Sequence, residues 1–360
     1  MIGESVIKTN SSYYRVWKKH QNKKNLIKRT QKKKRNKARL TAQNIYNYNL
    51  KRKGHYNPEI RKYTFTAPLD FSFVNNTEET CEFFNEIIKF ILDERNYKKS
   101  VFVDVSKIKT FTIDALMYLL AIINNLRDGK NKIAFSGNEP TNSDVKKAFR
   151  ESGFYHYVNY RGKVALTKNE DNFQIVTGEK SVPEIAKKIS EFVMGRTGTT
   201  RQLWRFLYII MIELMSNTHK HAYNNNALLS PHWYCYADYD GKNTLSFTFI
   251  DTGEGIPATV RKKFAEKIDI LKLKSESKYV ESALKGDFRT ATELKYRGKG
   301  LPKIREFCSD NKIQNMRIIT NHANITVTKD KIKTHETSTP LKGTLYYWQI
   351  DIDNVKGETK

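Results

Sequence analysis

Residues 199–223 read TTRQLWRFLYIIMIELMSNTHKHAY, and the reading of this stretch decides the architecture of the C-terminal half. Leu207, Ile210 and Met211 recur at helical spacing, so the segment is expected to be one long amphipathic helix. Glu213, Asn217 and His221 then line up on one face, one turn apart, in apolar surroundings. Polar groups are costly to bury without partners, so that face meets either water or a ligand.

Working outward, residues 181–195 read as a helix with Pro183 in its first turn. Strands are expected at 232–240 and 244–252, joined by a turn at Asp240-Gly241, and again at 316–330 and 343–352. Helices followed by a strand meander predict an α+β fold, a sandwich with helices on one face of the sheet. Three short words then fall in order: ELMSNTHKHA (213–222), DTGEGIP (251–257) and RGKGLP (297–302), with KGT (342–344) on the last strand. Asp251 emerges where an apolar strand leaves the sheet, and Gly253 and Gly255 allow close approach of the backbone to a partner. Gly298 and Gly300 precede a further helix, and a helix start with glycines before it is a ready phosphate site. Asn217 offers a neutral oxygen suited to Mg²⁺ with bridging phosphates, and Glu213 one turn earlier is placed to take a proton from a nucleophile.

This set resembles the GHKL ATP-binding fold, the Bergerat fold shared by DNA gyrase, mismatch-repair ATPases, sensor histidine kinases and anti-sigma serine kinases. The likeness covers roughly residues 175–352. The resemblance implies ATP and Mg²⁺ as cofactors, with Asn217 as the metal ligand and Glu213 as the catalytic base. It further implies that Asp251 accepts from the adenine amino group and that Gly253, Gly255 and Ile256 form the nucleotide-binding turn. Arg297, Gly298, Lys299, Gly300 and Leu301 flank the triphosphate, Thr344 lies near adenine, and His221 touches a phosphate or supports its loop. The largely polar residues between the glycine words, about 257–296, correspond to the ATP lid. His219 is expected at the surface, and His232, His322 and His335 show no metal spacing.

Upstream, residues 60–160 alternate: strand 63–73, helix 77–95, strand 100–106, helix 113–129, strand 131–137, and a helix from 142 that ends at Gly153. The words VFVDVSKIKTFTIDALMYLLAIINNLRDGKNKIAFSG (101–137) and VKKAFRESGFYHYV (145–158) resemble the STAS domain of bacterial anti-anti-sigma factors. That family carries a phosphorylatable Ser in a loop of the type Asp-Ser-Ser-Gly-Leu, whereas this chain has Thr112, Ile113, Asp114, Ala115 and Leu116. A carboxylate at a helix start is favourable on dipole grounds alone, and here it implies a fixed negative charge in place of a switchable one.

The expected organisation is a basic arm over 1–55, a STAS-like domain over 56–162 and a GHKL domain over 163–360. The chain carries 64 basic and 38 acidic residues, a net +26. Residues 1–65 hold 19 Lys and Arg against Glu4 and Glu59, so +17 of that excess sits at the front. Such a cluster binds phosphates without reading sequence, which makes nucleic acid or an acidic protein a candidate partner for residues 1–55. Cys81, Cys235 and Cys308 are far apart, which argues against a zinc site or disulfide framework and for the cytoplasm. No apolar run reaches about 18 residues, so no membrane span is expected. The expected function is Mg²⁺-dependent ATP hydrolysis or phosphoryl transfer to a protein Ser or Thr. The alternative is a non-catalytic module that ATP gates and the arm docks. A homodimer is compatible with either.

Overall fold

The computed structural model describes residue 30 and residues 62–93, 96, 99–128, 133–158, 169–198, 201–221, 232–288, 300–310 and 313–356. Contacts divide the chain into Met1–Ile60 and Arg61–Lys360. The basic arm, residue 30 aside, lies outside the described residues.

The N-terminal part of the second unit begins with β1 (Lys62–Thr66) and β2 (Asp70–Phe71). A single strand is expected over 63–73. The structure splits it around Pro68, which has no N–H for a ladder. Helix α1 (Thr77–Leu92), β3 (Ser100–Asp104), β4 (Thr110–Phe111), α2 (Ile113–Asp128), β5 (Ala134–Gly137) and α3 (Ser143–Glu151) come next. Strands β1, β3 and β5 form a parallel sheet in the order β1-β3-β5, as an alternation of strands and helices requires. The Asn142 side chain caps α3, and Gly153, at φ +86°, marks its end.

The C-terminal part opens with β6 (Asn172–Gly178), α4 (Pro183–Thr197) and α5 (Arg201–His221). Then come β7 (Trp233–Tyr239) and β8 (Thr244–Asp251), whose turn is held by Asp240 Oδ1 accepting from the N–H groups of Lys242, Asn243 and Thr244. Three short helices, α6 (Ile256–Lys263), α7 (Ala265–Ile270) and α8 (Glu276–Lys285), lead to α9 (Gly300–Ser309). The long strands β9 (Gln314–Val327) and β10 (Ile332–Asp351) and the short α10 (Ile352–Lys356) complete the unit. Strands β6, β7, β8, β10 and β9, in that order, form one antiparallel sheet. The fold is therefore mixed α+β, with one parallel and one antiparallel sheet of three or more strands.

Both faces of the five-stranded sheet are covered. On the inner face, Phe247, Phe249, Tyr346 and Trp348 pack against Leu207, Met211 and Leu214 of α5, Val193 of α4 and Ile304 of α9. On the outer face, Tyr234, Ile250, Ile319 and Leu345 join the core built by α1 and α2, including Phe84, Ile87 and Leu116. The residues read as two domains thus share one hydrophobic core, and helices lie on two faces of the sheet where the sequence predicts one. Polar bonds cross the same junction: Tyr118 Oη to the Lys342 carbonyl at 2.7 Å, Asn85 Nδ2 to the Pro340 carbonyl at 2.7 Å, and Arg317 Nη1 to the Val74 carbonyl at 2.6 Å.

Asp114 lies at this junction, fully buried. It accepts from Phe73 N–H at 3.0 Å and from the Thr112 hydroxyl at 2.7 Å, tying the start of α2 to the loop after β2. Burial raises its carboxyl to about 6 against the pull of those donors. Its role here is that of a buried loop staple. Among the described residues no helix is long and apolar enough to cross a membrane. All three cysteines are free and buried, and burial pushes the Cys81 and Cys308 thiols up to about 12.

Candidate functional site

The inner face of the sheet ends in a row of matched residues. Trp233 on β7 pairs with Asp251 on β8, Asp251 pairs with Thr344 on β10, and Thr344 pairs with Thr320 on β9. Side chains alternate along a strand, so these four share a face with Phe249 and Tyr346, the face that α5 covers. Along this row the apolar inner face turns polar.

Asp251 is 8% exposed, and its carboxylate takes a hydrogen bond from Gly253 N–H at 2.9 Å and another from the Thr344 hydroxyl. Burial nevertheless lifts its carboxyl to about 7. The turn after β8 depends on glycine. Gly255 has φ +86°, and a Cβ there would overlap the Thr320 and Asn321 side chains. Asn321 Oδ1, buried beside Gly255, has no hydrogen-bond partner among the described residues. Ile256 begins α6 and donates its N–H to Thr320 Oγ1 at 3.1 Å. Thr320 Oγ1 in turn bonds the Gly343 carbonyl at 2.9 Å and lies 3.2 Å from Thr344 Oγ1. One hydroxyl therefore joins the turn after β8 to the last strand. Thr320, Asn321 and Gly343 are the members of this cluster that the sequence leaves unassigned. The available signal is a threonine breaking an apolar inner-face run, after Met316 and Ile318.

The second cluster sits on α5. Glu213 and Asn217 are half-buried, and Gly300, the buried first residue of α9, faces both. A Cβ on Gly300 would lie 3.2 Å from Asn217 Nδ2 and 3.3 Å from Glu213 Oε2. The two clusters approach each other through apolar neighbours. Leu301, next to Gly300, and Ile256, next to Gly255, both pack on the small core of Val260, Ile268, Ala283 and Phe288.

That small core also revises the stretch expected as a lid over 257–296. Its charged residues coat three helices, and α8 sends Val280 and Leu284 into the main core. Glu276 at the start of α8 accepts from His322 N–H at 2.9 Å and pairs with Arg261 at 3.0 Å. This part of the segment is built into the body, and 289–296 lie outside the described residues. So do Arg297, Gly298 and Lys299, and the side chain of His221, whose backbone ends α5. Among the described residues no three His, Cys, Asp or Glu side chains are grouped to hold a metal.

No protein-family model and no curated protein matches this chain.

Proposed function

We propose that the chain binds ATP with Mg²⁺ along the inner edge of the five-stranded sheet and cleaves the nucleotide or passes its γ-phosphoryl group to a protein hydroxyl. The observation that supports this reading is a link between two clusters: Asp251, Thr344 and Thr320 pair across three strands, Gly300 faces Glu213 and Asn217, and the neighbouring Ile256 and Leu301 pack on one small core.

The residues fit such a ligand by their chemistry. Asp251 is a buried acceptor that takes two hydrogen bonds among the described residues, so it has lone-pair capacity left for an amino group. Thr344 and the turn at Gly253–Ile256 hold that carboxylate in place. Asn217 would supply a neutral oxygen to a magnesium ion that takes its other ligands from phosphates and water, which is the usual way this ion is held. The absence of a Cβ at Gly300 lets the start of α9 lie against Asn217 and Glu213, and backbone N–H groups at a helix start favour an anion. Bound ATP supplies an activated phosphoryl group, and its metal offsets phosphate charge. Glu213 stands one turn from Asn217 and takes the proton from the attacking water or hydroxyl. Arg297 and Lys299 are proposed as phosphate contacts on sequence grounds, and residues 1–55 as the contact for nucleic acid or an acidic protein.

Incubation with γ-labelled ATP tests this directly, alone and with candidate protein substrates. Label is expected as free phosphate or on protein, lost in Glu213→Ala while calorimetry still detects ATP, and binding itself is expected to fail in Asn217→Ala and Asp251→Asn. ATP binding with no turnover, together with partner binding unchanged in Glu213→Ala, would favour the gated module. No heat with millimolar ATP and Mg²⁺ would refute the site.

A further inference from the structure

The polar row is held from behind by a residue on the opposite side of the sheet. Tyr118 of α2 is 1% exposed, its ring set edge-on to Phe73 (5.3 Å, 81°) and Phe84 (4.9 Å, 72°). A buried phenol needs a hydrogen-bond partner, and this one donates to the Lys342 carbonyl at 2.7 Å. That carbonyl lies in a stretch of β10 that leaves regular geometry beside the site. Against β9 the register passes from Leu341↔Asn321 to Thr344↔Thr320, so Lys342 and Gly343 are two extra residues on β10. Gly343 has φ +114°, and a Cβ there would overlap the Asp251 carbonyl. The bulge delivers Gly343 O to Thr320 and the Thr344 hydroxyl to Asp251.

We propose that Tyr118 is a positioning residue for the nucleotide site: by pinning the Lys342 carbonyl it fixes the bulge, and through it the alignment of Thr344 with Asp251. The inference rests on the nucleotide reading above. It makes the STAS-like segment part of the apparatus that recognises the base. Burial keeps the phenol protonated, with the neighbouring Asp251 charge adding to the effect, so the donor persists across the physiological range.

Tyr118→Phe removes one oxygen and keeps the ring. Calorimetry with ATP and with inosine triphosphate, which lacks the amino group, reads the alignment. The variant is expected to bind ATP about tenfold more weakly, with inosine triphosphate little changed, so base discrimination shrinks. Asn85→Ala serves as the control, because it removes a bond from α1 to the Pro340 carbonyl two residues short of the bulge. It should lower the melting temperature and leave the discrimination ratio alone. A Tyr118→Phe protein that keeps the wild-type ratio overturns the proposal. Hydrogen exchange separates this failure from that of the nucleotide reading: even without ligand, the variant should exchange the amides of residues 342–345 faster, and unchanged rates would refute the positioning role by themselves.

Discussion

At position 343 the backbone leaves no room for a side chain. Gly343→Ala is expected to cost about 2 kcal/mol or more, since it combines positive-φ strain with overlap on the Asp251 carbonyl, and to abolish ATP binding. Urea unfolding and calorimetry check the two effects. Gly300→Ala should behave differently. Its Cβ meets Asn217 Nδ2 at 3.2 Å and Glu213 Oε2 at 3.3 Å, contacts that small shifts relieve, so stability should hold while Mg²⁺-ATP affinity falls about tenfold. Asp251 adds a pH dependence. Its folded-state value of about 7 lies above the ordinary 3.8, so its contribution to stability is full below about pH 4 and is lost as pH rises towards 7. Asp251→Asn should therefore flatten the decline in unfolding free energy over that interval. ATP affinity should rise with pH up to about 7, because the carboxylate accepts from the amino group more strongly than the carboxylic acid does, and calorimetry in two buffers would detect the proton released. Asp251 is legible in the sequence because it directly follows an apolar strand. Thr320 is marked only as a threonine in an apolar inner-face run, since its role depends on a cross-strand register.

At the scale of elements, the long periodic helices and the apolar strands are readable, and the failures share a cause. Strand β6 is half-polar, and the first half of β10, KTHETSTP, carries little apolar signal. Residues 332–336 of it extend as one arm of a hairpin with β9, and Ile332, which packs on the main core, is the one apolar residue among these five. The helices after Gly255 are hidden because charged residues surround a core of only four buried side chains. The start of α2 is legible only in part. The sequence reads Asp114 as a fixed carboxylate at a helix start, and the structure adds that it is fully buried and accepts from Phe73 N–H and the Thr112 hydroxyl. Asp114→Ala strands the Phe73 N–H, and the variant should lose about 1–3 kcal/mol in urea unfolding without losing ATP binding.

For the whole molecule, a sequence boundary near residue 162 does not mark a physical one. The outer face of the sheet presents Tyr234, Ile250, Ile319, Leu341 and Leu345 to the core of α1 and α2. A fragment of residues 163–360 should expose this patch and aggregate or bind a hydrophobic dye. Residues 61–360 should unfold in a single transition, seen alike by calorimetry and circular dichroism. A soluble, monomeric, dye-negative fragment would count against the shared core. The extra pair at Lys342–Gly343 has a genetic corollary. An even number of added residues preserves parity, so Leu341 and Leu345 still point outward while Thr344 points inward. Loss of one codon there would rotate the rest of the strand by half a turn, sending Leu345 inward and Thr344 outward. Loss of both would keep every later side chain on its own side, so in a library of in-frame deletions the double should survive folding selection where either single fails.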